Sequence, residues 1–158
     1  MDRAISAFQE YPTASTRQIV VLGSGKDTSF FRHDLSSDTR WFEVDHASVI
    51  QTKATIIKDS PQIFQSTTEK TTNGFCISTR RKPEENKGPE PKSCHLIQHD
   101  LVDDPKALIT KLQQSTADLQ APTLLLFECV LMYLPEETSK TLLSCLAEHF
   151  PHAVLCSE

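Results

Sequence analysis

Three residues set the chemistry this chain can do: Gly23 and Gly25, which follow the apolar run Gln18-Ile-Val-Val-Leu22, and Asp45, which ends the run Trp41-Phe-Glu-Val-Asp45. Glycines directly after a strand let the backbone come close to a ligand, because neither brings a side chain to obstruct the approach. A carboxylate at the end of the next strand, about 20 residues further on, is placed to accept hydrogen bonds from both hydroxyls of a ribose. The third glycine of a dinucleotide fingerprint is missing: Ser29 stands near its place and is followed by the bulky Phe30-Phe31-Arg32. The pattern therefore suits a nucleoside cofactor without a pyrophosphate. S-adenosyl-L-methionine is the common one, with NAD or FAD the less favoured variants.

Asp100 and Glu128 extend the set, each falling just after a further apolar run, 94–98 and 123–127. Every member also has a plainer reading. Two glycines after a strand occur in tight turns that bind nothing. Asp45 could cap a helix beginning near His46, Asp100 could start a turn with Asp103 and Asp104, and Glu128 could be a solvated strand end. Their joint placement at consecutive strand ends favours a ligand edge, since open α/β sheets bind ligands outside the carboxyl ends of their strands. The six histidines and five cysteines show no metal-ligand spacing, and no metal is expected.

The elements that must position these residues follow from periodicity. Strands are expected at 18–22, 41–44, 94–98, 123–127 and 153–156, the run Thr123-Leu-Leu-Leu-Phe127 being dense enough for the centre of a parallel sheet. Helices are expected at 4–8, from 28–33, and at 46–57, 105–115 and 138–150. Residues 70–93 contain a charged, Pro- and Gly-rich stretch from Arg80 to Pro91 and are expected to form a solvated loop. Strand and helix alternate, which implies a layered α/β fold with right-handed crossovers.

At 158 residues the chain suits one domain, and its net charge of −5 argues against a general surface for nucleic acid. No apolar run reaches the roughly 18 residues of a membrane span, and the first twenty residues lack the apolar core of a signal peptide. A reducing, cytoplasmic setting is expected from cysteines that lie within apolar runs.

The segments Val21-Leu-Gly-Ser-Gly-Lys-Asp-Thr28, Phe42-Glu-Val-Asp45 and Phe127-Glu-Cys-Val-Leu-Met-Tyr-Leu-Pro-Glu136 together resemble the leucine carboxyl methyltransferases. These are class I enzymes that methylate the C-terminal leucine carboxylate of the protein phosphatase 2A catalytic subunit. The resemblance implies a Rossmann-like S-adenosyl-L-methionine-dependent fold. It places Gly23 beside the methionine part of the cofactor, Asp45 at the ribose, Asp100 and Leu101 on the adenine side and Glu128 at the methionine amine, with Gly25 also among the cofactor-binding residues. Tyr133 falls where the family keeps residues near the substrate carboxylate. The family's upstream arginine segment has no counterpart before Ala4, and the last expected strand is the fifth of a sheet that has two more, so the domain is expected to be incomplete at both ends. Two rivals remain: the tRNA wybutosine-synthesising relative, which also acts on a carboxyl group, and a noncatalytic cofactor- or phosphatase-binding remnant.

Overall fold

The computed structural model describes residues 1–12, 16–79 and 92–157. In chain order the elements are α1 (Asp2–Glu10), β1 (Arg17–Leu22), α2 (Ser29–Arg32), β2 (Thr39–Asp45), α3 (Ala47–Asp59), α4 (Pro61–Phe64), β3 (Ser66–Thr71) and β4 (Gly74–Thr79). They continue with β5 (Lys92–Gln98), α5 (Pro105–Gln114), β6 (Thr123–Phe127), a 3-10 turn (Leu131–Tyr133), α6 (Glu136–His149) and β7 (Ala153–Ser157). One seven-stranded sheet carries them in the order β3-β4-β5-β2-β1-β6-β7.

The five expected strands are present and mutually parallel. β1 pairs with β2 on one side, Leu22 opposite Val44, and with β6 on the other, Leu22 opposite Phe127. β1, β2 and β6 are largely buried on both faces because both are covered by helices. Val20, Leu22, Phe42, Val44 and Phe127 face α5 and α6, forming a core with Leu108, Leu112, Leu142 and Leu146. Ile19, Val21, Trp41 and Leu126 point the other way, into a core closed by Ile5 of α1, Phe30 of α2 and Ile50, Ala54 and Ile57 of α3. Local sequence sets the helix boundaries. Asp104 caps α5 by accepting the Lys106 N–H at 3.0 Å, and Pro105 occupies the first turn, where its missing N–H is not needed.

Two expectations are corrected. Residues 70–93 are not one solvated loop: β3 and β4 form an antiparallel hairpin, Ser66 opposite Thr79, and β4 pairs antiparallel with β5. The strand-helix alternation is therefore interrupted, and the sheet is mixed. β3 reads as Ser-Thr-Thr-Glu-Lys-Thr because it is an edge strand with mostly exposed side chains, so no apolar alternation announces it. Gly74 is required where β4 begins, since a Cβ there would lie 2.0 Å from the Leu96 carbonyl oxygen. The stretch 80–91, the charged part of the expected loop, lies outside the described residues. Among the described residues no helix is long and apolar enough to cross a membrane.

Candidate functional site

The strand order reverses at β1: successive elements build outward through β2 and β5 on one side and through β6 and β7 on the other. The crevice outside the carboxyl ends of β1 and β6 is the topological switch point, where open α/β sheets take their ligands. Gly23, Gly25, Asp45, Asp100 and Glu128 all lie on this carboxyl edge, because Leu22, Val44 and Phe127 are in register and Asp45 is level with Gln98.

The glycine turn serves packing and access at different residues. Gly23 has φ +75°, and a Cβ on it would stand 2.3 Å from Cγ2 of Val130, so Val130 rather than open space occupies its side-chain position. Gly25 has φ +51°, and a Cβ there would meet nothing within 4 Å. The open backbone of the turn is therefore at Gly25. Cys129, next to Glu128, also holds a left-handed φ of +53°, a conformation that costs free energy for a residue with a side chain and that clusters at ligand sites.

Asp45 links the turn to the start of α3. One carboxylate oxygen accepts the Gly25 N–H at 2.7 Å, and the other accepts the His46 N–H at 2.7 Å. An ionised carboxylate has about four acceptor sites, so about two remain for a ligand. His46 passes the connection on, its Nδ1 lying 3.4 Å from Oδ2 of Asp100. Asp100 also accepts the Val102 N–H at 3.1 Å, closing the turn that buries Leu101 against the α5–α6 core. Glu128 is exposed across the crevice, and Tyr133, on the 3-10 turn, is 79 % exposed. The structure thus joins Gly25, Asp45 and Asp100 in one chain of contacts, with Glu128 and Tyr133 free to meet solvent on the β6 side.

Several groups at this edge escape a reading of the sequence. Asp27 accepts both the backbone N–H and the hydroxyl of Ser29, fixing the entry to α2. Arg32 donates to Thr28 Oγ1 and Ser29 Oγ and pairs with Asp2. Glu43, two residues before Asp45, is buried with Lys53 of α3 and receives the Trp41 indole N–H at 3.1 Å. The Asp27-Thr28-Ser29 run could have signalled a helix cap, but nothing local to residues 43 and 53 announces an ion pair. Among the described residues no group of three His, Cys, Asp or Glu side chains could hold a metal ion.

His99 follows β5 directly. It is buried, its Nε2 has no hydrogen-bond partner among the described residues, and its Nδ1 lies 3.5 Å from Lys111 Nζ. Burial first, and then the Lys111 cation, push its imidazole below the ordinary value of 6.5. A histidine with a depressed folded pKa contributes stability that is complete above 6.5 and is lost as pH falls through its folded value, since the unfolded chain takes up the proton first. His95 is shifted the same way by burial. Denaturant melts at pH 7 and pH 5 should show a smaller decline for His99→Gln than for the wild type. An equal decline would assign the effect to other groups.

Comparison with known proteins adds the relatives. The family model described as leucine carboxyl methyltransferase matches residues 2–147. A leucine carboxyl methyltransferase 1 homolog of Arabidopsis thaliana is 28% identical over 96% of this chain and 43% of its own length. Leucine carboxyl methyltransferase 1 of Rattus norvegicus is 31% identical over 87% of this chain and 40% of its own. The tRNA wybutosine-synthesizing protein 4 of the same animal is 28% identical over 87% of this chain and 19% of its own. The chain thus spans less than half the length of each of these relatives.

Proposed function

The chain belongs to the leucine carboxyl methyltransferase family, and on that premise we propose that it acts as an S-adenosyl-L-methionine-dependent methyltransferase on the α-carboxylate of a C-terminal leucine, that of the protein phosphatase 2A catalytic subunit. The observation that carries this reading is the set of contacts at the switch point: an open Gly25 backbone, an Asp45 carboxylate with spare acceptor capacity, and an exposed Glu128 facing the same crevice. These suit a nucleoside joined to an amino acid. Asp45 would accept the ribose hydroxyls, Asp100 and the Leu101 turn would border the adenine, and Glu128 would receive the ammonium. Gly23 and Gly25 would line the methionine part and Tyr133 the approach of the acceptor.

When bound, the cofactor supplies a methyl group already activated by its sulfonium. The acceptor carboxylate has a pKa near 3.5 and is ionised at pH 7, so no side chain has to remove a proton. The chain's residues then act by binding and alignment, which can lower a barrier by up to roughly 7–11 kcal/mol. This accounts for a candidate site without a nucleophile–base pair. The five free cysteines suit a reducing compartment such as the cytoplasm.

Methyl-labelled S-adenosylmethionine should place label, as a base-labile ester, on a peptide ending in a leucine carboxylate and none on the same peptide with an amidated end. The match to a wybutosine-synthesizing protein favours one alternative acceptor, a carboxyl group on a modified tRNA base. Label on that tRNA and none on the peptide would replace the protein acceptor with the tRNA one. Asp45→Ala should weaken S-adenosylhomocysteine binding by about 1–3 kcal/mol through lost charge-assisted hydrogen bonds. Unchanged affinity by calorimetry would leave Asp45 only as the brace between Gly25 and His46.

A further inference from the structure

We infer that the cavity between the β3–β4 turn and the end of α5 is a second ligand site, one that takes a planar heteroaromatic ring with an amide edge, the chemistry of a free nucleobase or nucleoside such as uridine. The cavity has a volume of about 360 Å³, within the range of small-molecule pockets. Thr71, Thr72 and Asn73 of the turn, His95 of β5, and Gln114 and Thr116 at the end of α5 line it. None of them belongs to the carboxyl-edge set of Gly23, Gly25, Asp45, Asp100 and Glu128.

His95 is the group in this cavity that the rest of the fold does not use. Its half-buried ring stacks on Phe42, with centroids 5.3 Å apart and planes 20° from parallel. Its ring nitrogens have no hydrogen-bond partner among the described residues. Burial first, and then the Arg40 cation, push its imidazole below the ordinary value of 6.5, so at pH 7 the ring is neutral and offers one donor and one acceptor nitrogen. A neutral imidazole backed by a phenyl ring is a platform on which a base can stack.

The rim of the cavity carries the matching polar groups. Asn73 donates its side-chain N–H groups to the Lys111 carbonyl at 3.4 Å and to Gln114 Oε1 at 3.0 Å. The two amides therefore hold each other, and what they have left is the Asn73 carbonyl oxygen as acceptor and the Gln114 N–H groups as donors. An amide edge, one C=O beside one N–H, complements that pair, as carboxamide side chains complement base edges generally. The far wall is fixed as well: Thr116 holds a left-handed φ of +74°, and its carbonyl accepts Arg40 Nη1 at 2.7 Å. Among the described lining residues His95 is the one titratable side chain, which favours a neutral ligand over a charged one. If the Asn73–Gln114 contact were only a clamp between hairpin and helix, it would have no effect on ligands, and this separates the two accounts.

Titration of the isotope-labelled protein with uridine, followed by nuclear magnetic resonance, tests the inference. Amide signals of residues 71–74, 95 and 114–116 and the ring protons of His95 should shift, with a dissociation constant of roughly 0.1–1 mM. S-adenosylhomocysteine should not displace the nucleoside. His95→Ala should weaken binding roughly 10-fold through the lost stack. Gln114→Ala should weaken it roughly 3–10-fold. Gln114 is exposed, so this variant carries the test if His95→Ala does not fold. The analogue 3-methyluridine, whose amide N–H is blocked, should bind at least about 10-fold more weakly than uridine. No shift at these residues up to about 10 mM uridine, shifts confined to the carboxyl edge, or variants that bind uridine as the wild type does would each overturn the inference while leaving the proposed function standing.

Discussion

Lys53→Ala is expected to lower the free energy of unfolding by about 3–5 kcal/mol, because it strands a buried carboxylate. Lys53 Nζ donates to Glu43 Oε2, and both side chains are almost wholly inaccessible to solvent. The Trp41 indole donates to the other Glu43 oxygen. Burial pushes the Glu43 carboxyl upward, and Lys53 and Trp41 oppose that shift. Removing the ammonium removes the larger opposition, and the strand can respond only by protonating Glu43 or by admitting water to the core. The double variant Glu43→Gln, Lys53→Met should lie closer to the wild type than Lys53→Ala, since no uncompensated charge remains. Urea denaturation measures both, and a loss below about 1 kcal/mol for Lys53→Ala would show that the pair is solvated in solution. The site should feel the change, because the pair ties α3 to β2 just where Asp45 and His46 follow.

Gly23→Ala is expected to cost about 2–5 kcal/mol, the sum of roughly 1–2 for a side chain in the left-handed region and about 1–3 for overpacking. The new Cβ would meet Val130, 2.3 Å away at its nearest atom. Val130 follows the left-handed Cys129, so the valine can retreat only by moving the strained loop that carries Glu128. Adding Val130→Ala should recover the packing part and leave the backbone part, a non-additivity that a double-mutant cycle in urea resolves. Full additivity would mean that the two residues do not touch in solution.

The central parallel strands β1, β2 and β6 are legible in the sequence because they are buried on both faces and therefore rich in apolar residues. The strand, glycine turn, strand and acid order was legible for the same reason; Gly25 and Asp45 meet directly, and Asp100 is linked to them through His46. The hairpin from Ser66 to Thr79 was hidden because an edge strand need not be apolar. Gly23 also makes room for Val130, more than a hundred residues away in the chain, a packing role that no local pattern announces. The Glu43–Lys53 pair joins two elements and the Asp2–Arg32 pair spans 30 residues, so neither leaves a local pattern. Arg32 looked like one bulky residue among Phe30 and Phe31 until the fold turned it toward α1.

The central claim is that the crevice between the ends of β1, β2 and β6 holds S-adenosylmethionine. Amide hydrogen exchange with and without S-adenosylhomocysteine tests it most directly. Residues 23–28, 45–46 and 128–130 should gain protection in its presence and none in the presence of NADH. Protection absent from these segments, or produced there by NADH alone, would contradict the claim.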